Sequence, residues 1–185
     1  MPYHFETSEF AFEWIPASAR VPREQQRVMV VLHGRGDRLD SFRSIKDELR
    51  IPNFNYLLLN APRKYDGGYT WYAFPPNQAR GIQKSREKLF NLVSELMMEG
   101  WASEHIFFYG FSQGCLMSCD FLMNAPFRLG GIVAISGYVY FFSGWQRRLS
   151  ANSFQIPCLM THGTKDDALE IEETRANLKK MKSAG

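Results

Sequence analysis

The sequence contains few cysteines, and their number is odd. Cys115, Cys119 and Cys158 are the only three in 185 residues, and each has apolar neighbours. This pattern excludes a scaffold built on disulfides and predicts buried, reduced thiols in a cytoplasmic protein. Cys115 and Cys119 could be imagined to share a metal with His162, but the spacing matches no zinc motif. We therefore expect core packing for these thiols and no metal or cofactor.

Excess charge and long apolar runs are also scarce. Lys and Arg number 22 against 19 Asp and Glu, which gives a net charge of +3 and argues against a nucleic-acid partner. No stretch approaches the roughly 18 apolar residues of a membrane-spanning helix. The first ten residues lack the basic and apolar regions of a secretory signal. The sequence predicts no membrane span.

The chain does contain short apolar runs that alternate with longer amphipathic ones, a pattern typical of a parallel α/β sheet. Buried strands are predicted at Val28–Leu32, Tyr56–Leu59, Ile106–Tyr109, Gly131–Ile135 and Cys158–Thr161, with an outer antiparallel strand in EFAFEW, residues 9–14. Helices are predicted at Ser41–Leu49, Gln83–Met98, Gln113–Met123 and Ile171–Met181.

A serine stands between two glycines at the end of the Ile106–Tyr109 strand. The segment GFSQG, residues 110–114, has the G-x-S-x-G spacing, and a predicted helix follows it. A sharp strand-to-helix turn of this kind exposes the serine hydroxyl above the sheet, beside a helix N-terminus that favours developing negative charge. The context indicates that Ser112 is a nucleophile. The backbone N–H of Gln113, the next residue, would then stabilise an oxyanion.

Two further loops follow strands at the same edge of the sheet. HGRGD, residues 33–37, offers a second oxyanion N–H, for which Arg35 is the preferred donor; the alternative is an ordinary glycine turn. THGTKDD, residues 161–167, offers a triad acid, with Asp166 preferred and Asp167 in reserve; the alternative is that both are solvated turn residues.

These motifs, in this order, resemble the α/β-hydrolase fold. VVLHGRGD, LLLNAPRKYDGGYTWY, FFYGFSQGCLM and PCLMTHGTKDD are most similar to its phospholipase/carboxylesterase branch, which includes the acyl-protein thioesterases. The resemblance implies a mostly parallel central sheet with helices on both faces. It implies hydrolysis of carboxylic esters, lysophospholipids or acyl thioesters without a metal. It assigns Ser112 and Asp166 to the catalytic set, and Arg35 and Gln113 to the oxyanion hole. A dienelactone-type hydrolase would have cysteine in place of Ser112.

The family's catalytic histidine has no counterpart in this sequence. In the family it follows one more strand beyond the Ile171–Met181 helix, so we expect residues 1–185 to form a single α/β-hydrolase domain whose last strand is missing. His105 begins a strand and would lie at the wrong end of the sheet. His33 and His162 end strands on the active side, but their family counterparts are structural. The alternative to an enzyme is a ligand-binding protein or inactive fragment that keeps the fold.

Aromatic residues are concentrated in two loops at the active edge, in residues 63–76 and 136–145. Pockets for small molecules are mostly apolar, so we interpret these loops as walls of an acyl groove, with Trp71 and Tyr72 contacting the substrate. The alternative, for each aromatic side chain in these loops, is that it covers the hydrophobic core and does not contact the substrate. The expected partner is a small ester or thioester. Without a further strand, Cys158–Thr161 would be an open sheet edge, which predicts self-association of the chain.

Overall fold

The computed structural model of the protein describes residues 5–184. The strands are β1 Phe12–Ile15, β2 Arg27–Leu32, β3 Phe54–Leu59, β4 Arg63–Tyr65, β5 Gly68–Thr70, β6 Ile106–Phe111, β7 Gly131–Ile135 and β8 Cys158–Thr161. The α-helices are α1 Ile45–Leu49, α2 Gln78–Met98, α3 Gln113–Met123 and α4 Ile171–Lys182. Short 3-10 helices lie at Arg23–Gln25, Leu39–Phe42, Ser103–His105, Trp145–Arg148 and Ser153–Gln155.

Six strands form the main sheet in the order β1-β3-β2-β6-β7-β8. β1 is antiparallel to β3, and the other pairs are parallel. Strands β4 and β5 form a separate antiparallel hairpin. The predicted mixed sheet with an outer antiparallel strand is thereby confirmed.

Both faces of the sheet are covered because its central strands are apolar on both sides. Val28 and Val30 of β2 belong to the large core beneath α2 and α3, whereas Met29 and Val31 point to the opposite face, toward Leu39 and α1. This follows from the two-residue period of a strand. Every helix within residues 5–184 is too short or too polar to cross a bilayer.

Some predicted boundaries differ from the structure. The segment predicted as one helix, Ser41–Leu49, is divided into a 3-10 helix and α1, and α2 begins earlier than expected, at Gln78. The β4–β5 hairpin was not predicted because its strands have three residues each and no apolar alternation. The prediction that all three thiols are buried is wrong for Cys158, which is exposed because β8 is the outermost strand; Cys115 and Cys119 are buried.

Candidate active site

Ser112 occupies a strained turn between β6 and α3. Its backbone has φ 53° and ψ −112°, a conformation that side chains rarely adopt. The Ser112 N–H donates to the carbonyl oxygen of Ile135, at 2.9 Å, which attaches the turn to the end of β7. Strain of this kind persists where the surrounding structure enforces it, commonly at active sites.

Close backbone contacts explain why both flanking positions of the motif, 110 and 114, are glycines. A methyl group on Gly114 would overlap the carbonyl oxygen of Leu32, and one on Gly110 would overlap the carbonyl oxygen of Gly114. Helix α3 therefore starts in direct contact with the end of β2. This close approach holds Ser112 at the carboxyl edge of the sheet, as the motif predicts.

The loop after β2 is held beside Ser112 by the β4–β5 hairpin. The Gly36 N–H donates to the Tyr69 carbonyl at 2.8 Å, and the Tyr69 N–H donates to the Asp37 carbonyl at 2.9 Å. Gly36 has φ +75°, and a methyl group on Gly68 would overlap the Gly36 carbonyl. The loop and the hairpin thus behave as one packed unit.

Two backbone N–H groups next to Ser112 are unused. Among the described residues, neither the Arg35 N–H nor the Gln113 N–H donates a hydrogen bond. A methyl group on Gly34 would lie 3.4 Å from Ser112 Cβ, so the loop that carries Arg35 is in contact with the serine. A pair of free donors beside a nucleophile can stabilise an oxyanion.

The side chain of Gln113 connects the serine turn to the loop that follows β5. Its Oε1 accepts hydrogen bonds from Thr70 Oγ1 at 2.9 Å and from the Trp71 N–H at 3.0 Å. Its Nε2 donates to the Tyr72 carbonyl at 3.0 Å. Sequence reasoning used only the Gln113 backbone and missed this role, since the partners are distant in the chain.

His33 is a structural residue in this site. Its Nε2 accepts a hydrogen bond from the Ala61 N–H at 3.0 Å, and its Nδ1 donates to the Gly34 carbonyl at 2.5 Å. The side chain is buried, and burial lowers its pKa. Both nitrogens are occupied, so His33 has no lone pair for the proton of Ser112.

Asp166 and His162 lie together in the loop after β8. Asp166 Oδ1 accepts from the N–H groups of Ala168 and Leu169, each at 3.0 Å, and Oδ2 lies 3.4 Å from His162 Nε2. The hydrogen bond from the Leu169 N–H lowers the pKa of Asp166 most. The hydrogen bond from the Ala168 N–H and the nearby His162 ring lower it further. Asp166 is therefore an ionised carboxylate at neutral pH. Asp167 is exposed.

His162 is engaged through both ring nitrogens. Nε2 lies 2.7 Å from the Leu169 carbonyl and Nδ1 lies 2.9 Å from Thr174 Oγ1, which itself donates to the Gly137 carbonyl. His105 lies just before β6, at the opposite end from Ser112, with Nδ1 3.4 Å from Arg27 Nη1. Of the histidines within residues 5–184, none forms a hydrogen bond with Ser112 Oγ; His4 lies outside the described residues.

Comparison with known proteins assigns this arrangement to a family. The model of the phospholipase/carboxylesterase family matches residues 17–185. The chain belongs to the phospholipase/carboxylesterase family. It is 26% identical to a probable carboxylesterase of Oryza sativa subsp. japonica over 96% of this chain and 74% of the relative. It is 28% identical to acyl-protein thioesterase 1 of Schizosaccharomyces pombe over 75% of this chain and 67% of the relative.

Solved structures agree on the fold. The crystal structure of Arabidopsis thaliana SOBER1 superposes with a TM-score of 0.79 at 24% identity, over 86% of this chain and 84% of that chain. Esterase PE8 gives a TM-score of 0.81 at 21% identity, over 94% of this chain and 84% of that chain. The predicted α/β-hydrolase fold and ester-hydrolase class are confirmed. The cytoplasmic location stays a prediction.

Trp71, which the sequence predicts to contact the substrate, has a buried side chain. Its side chain is 0% exposed, and its Nε1 donates to the His33 carbonyl at 2.9 Å. The indole packs against Phe10 and the His33 ring. Trp71 therefore packs against and hydrogen-bonds to the start of the loop that follows β2. Trp71 also lines a cavity of about 610 Å³ with Pro62 and Gly81, and its role as a substrate contact stays a prediction.

Tyr72 is also buried, but its hydroxyl faces polar groups. Burial raises the pKa of this hydroxyl, the Tyr138 hydroxyl raises it further, and the Arg35 guanidinium opposes the shift. Tyr72 is therefore a neutral hydroxyl. A role as a substrate contact would involve this hydroxyl, since the ring is only 1% exposed.

The second aromatic loop packs mainly against the core. Tyr138, Tyr140, Phe141 and Phe142 are half-buried on the large core, and Trp145 is buried. Trp145 lines an apolar cavity of about 250 Å³ together with Met160 of β8 and Met181 of α4. No residue of the loop after β2, residues 33–37, or of the serine turn, residues 110–114, lines this cavity. The loop therefore covers core and a separate cavity near β8.

Proposed function

We propose that this chain is a carboxylesterase-type serine hydrolase in which Ser112 attacks the carbonyl carbon of an ester or thioester. The observation that carries the proposal is the pair of free N–H groups, from Arg35 and Gln113, beside a serine in a strained turn. The carbonyl oxygen becomes negatively charged in the tetrahedral intermediate, and these donors stabilise that charge. Collapse of the intermediate releases the alcohol or thiol and leaves an acyl group on Ser112, which water then hydrolyses.

The proton of the Ser112 hydroxyl needs an acceptor. In the proposed triad, a histidine takes this proton and returns it to the leaving group, and ionised Asp166 orients that histidine. His33 and His162 have both ring nitrogens engaged, and His105 lies at the other end of β6. We therefore propose that none of these three is the base.

A ligand-binding protein without turnover is the second candidate. It is favoured by one observation: no histidine described by the structure reaches Ser112 Oγ. Such a protein would bind esters in the same site, because the oxyanion donors do not depend on the base. The two candidates differ in the rate at which bound ester is cleaved.

Hydrolysis of an activated ester by the 185-residue polypeptide tests the proposal. We expect slow release of 4-nitrophenol from 4-nitrophenyl butyrate, since an oxyanion hole and binding alone leave roughly 10³–10⁴-fold acceleration over water. Imidazole in the buffer should raise this rate by acting as an external base. Imidazole also cleaves activated esters by itself, so the protein-free rate at each imidazole concentration is subtracted. Ser112→Ala should abolish the remaining release and its increase with imidazole, whereas Ser118→Ala, which removes a buried hydroxyl on the same helix, should keep both.

The same assay separates the alternatives. Release that is unchanged in Ser112→Ala would refute the assignment of the nucleophile. Fast turnover that is lost in His162→Gln or His33→Gln would identify that histidine as the base. Binding of the ester without release above the protein-free rate, with or without imidazole, would favour the ligand-binding protein.

A further inference from the structure

The side chain of Arg35 is a cation without a polar partner. Its guanidinium carbon lies 3.3 Å from the centre of the Phe74 ring. Within residues 5–184 it donates no hydrogen bond, and no carboxylate lies within 4.0 Å. Its Nε is shielded from solvent and has no acceptor. The Phe74 ring therefore makes a cation–π contact with one face of the guanidinium but accepts no hydrogen bond from its N–H groups.

An unpaired N–H of a charged group is unusual in a folded protein. Buried donors nearly always have an acceptor, and the exceptions call for an explanation such as an ion or ligand. Arginine carries five N–H donors in a planar fork that matches carboxylate and phosphate oxygens. The orphaned Nε and the unused fork are what a site for an oxyanion requires.

The loop that carries Arg35 and the loop that carries Tyr138 both approach the Ser112 turn. Burial and the Tyr138 hydroxyl raise the pKa of the Tyr72 hydroxyl, and the Arg35 guanidinium opposes this shift. We call Arg35, Tyr72, Phe74 and Tyr138 the Arg35 cluster. A carboxylate entering it would meet the Arg35 guanidinium, whose Nε has no acceptor.

The Arg35 cluster lies directly beside the nucleophile. A methyl group on Gly34, which precedes Arg35, would lie 3.4 Å from Ser112 Cβ. Gly137, which precedes Tyr138, is so close to the serine turn that a methyl group on it would lie 2.7 Å from the Ser112 carbonyl oxygen. The loops that carry Arg35 and Tyr138 therefore flank Ser112. A group bound by the Arg35 guanidinium would be separated from the Arg35 backbone N–H, a proposed oxyanion donor, by the length of the Arg35 side chain.

We propose that the Arg35 side chain selects ester substrates that carry a carboxylate or phosphate near the ester group, with the hydroxyls of Tyr72 and Tyr138 completing the site. This inference rests on the proposed function, since it places the substrate's ester at Ser112. Arg35 then has two separate roles. Its backbone N–H donates to the oxyanion, and its side chain binds the negatively charged group of the substrate.

A purely structural role would have different consequences. If the guanidinium only holds Phe74 in place through a cation–π contact, its loss would affect charged and neutral substrates alike. A specificity role predicts that only the charged substrate is affected. The ratio between matched substrates is therefore the measurement that distinguishes the two roles.

The test measures binding to the Ser112→Ala protein, in which the ester is not cleaved. The ligands are 4-nitrophenyl hexanoate, the mono-4-nitrophenyl ester of glutaric acid, and the 4-nitrophenyl ester of 4-phosphonobutanoic acid. We expect at least one anionic ester to bind about tenfold more tightly than the neutral one, as for one charge-assisted hydrogen bond. The tighter of the two identifies carboxylate or phosphate as the preferred anion. Addition of Arg35→Met should remove this advantage, so that the ratio of the anionic to the neutral Kd approaches one, whatever the Kd of the neutral ester becomes.

Controls keep the inference falsifiable. Arg38→Met removes an exposed cation of the same loop, one with Asp40 4.0 Å away, and should keep the advantage. Raising the salt concentration with Arg35 in place should reduce the advantage, which tests the charge even if Arg35→Met fails to fold. Equal Kd values for all three esters, or an advantage that survives Arg35→Met, would overturn the inference. Selective binding without Ser112-dependent release from wild type would uphold the anion site and count against the catalytic proposal.

Discussion

Gln113 Oε1 accepts a hydrogen bond from the Trp71 N–H at 3.0 Å, and this contact joins the residue after Ser112 to the loop that follows β5. The same oxygen accepts from Thr70 Oγ1, and the Gln113 amide donates to the Tyr72 carbonyl. One buried side chain thereby aligns the two halves of the proposed oxyanion hole. Its replacement should affect both folding and reactivity.

Gln113→Ala should lower the free energy of unfolding by about 1–3 kcal/mol, because it leaves the Trp71 N–H buried without an acceptor. It should also slow the labelling of Ser112 by a fluorophosphonate, since the turn loses its attachment to the loop. Chemical denaturation and labelling kinetics measure the two effects. Gln146→Ala, at an exposed position, should change stability by less than about 0.5 kcal/mol. Labelling at the wild-type rate in Gln113→Ala would show that the side chain does not position the site.

The buried His33 predicts a specific pH dependence of stability. Burial lowers its folded-state pKa below the ordinary value of 6.5. The unfolded chain therefore binds more protons as the pH falls below 6.5, and the free energy of unfolding should fall there by up to ~1.4 kcal/mol per pH unit. Above that pH the contribution is fully present. The measurement is the free energy of unfolding from pH 8 to pH 5 for wild type and His33→Gln.

The difference between the two proteins isolates His33. Asp120, whose pKa is raised to about 6 by burial, favours the folded state as the pH falls and acts in the opposite direction. It is present in both proteins, so its effect cancels in the difference. Parallel pH profiles for wild type and His33→Gln would contradict the prediction.

The ion pair of Arg86 and Asp120 is buried between α2 and α3. Arg86 Nη1 lies 3.0 Å from Asp120 Oδ1 and 3.1 Å from Oδ2, and the Asp120 side chain is 0% exposed. At pH 7.5 Asp120→Asn should cost about 3–5 kcal/mol, because it leaves the arginine charge without its partner in the core. Glu172→Gln removes the acid of an exposed pair with Arg175 and should cost less than about 1 kcal/mol. Equal effects of the two changes on thermal unfolding would refute the assignment.

Strand β8 predicts self-association of the chain. It pairs with β7 alone among the described strands, and the Leu159 side chain on it is 59% exposed. Short, uncharged, apolar edges invite pairing with a second strand. Leu159→Lys should weaken association by about tenfold or more, as expected when a charge must be desolvated at the contact. Sedimentation velocity measures this, with Leu49→Lys on α1 as the control. A monomeric wild type at all concentrations would contradict the prediction.

Much of the site could be predicted because its causes are local. The G-x-S-x-G spacing determines the serine turn, since only glycine at positions 110 and 114 avoids the backbone of neighbouring segments. The apolar runs determine the strands, and strand ends in a parallel sheet meet at one edge. This edge carries Ser112, the loop of Arg35 and the loop of Asp166. The family resemblance suggested a chemical role for each of these residues, and the structure shows where each of them lies.

Partners that are distant in the chain depended on the tertiary structure. The sequence alone does not reveal that Trp71 turns inward to the His33 carbonyl, that both nitrogens of His162 are engaged, or that the Arg35 guanidinium has no acceptor. Local sterics constrain the backbone over a few residues, whereas hydrogen-bond partners are determined by which segments pack together. Gln113 and Trp71 are separated by 42 positions, and only the packing of α3 against the loop after β5 brings them within 3.0 Å.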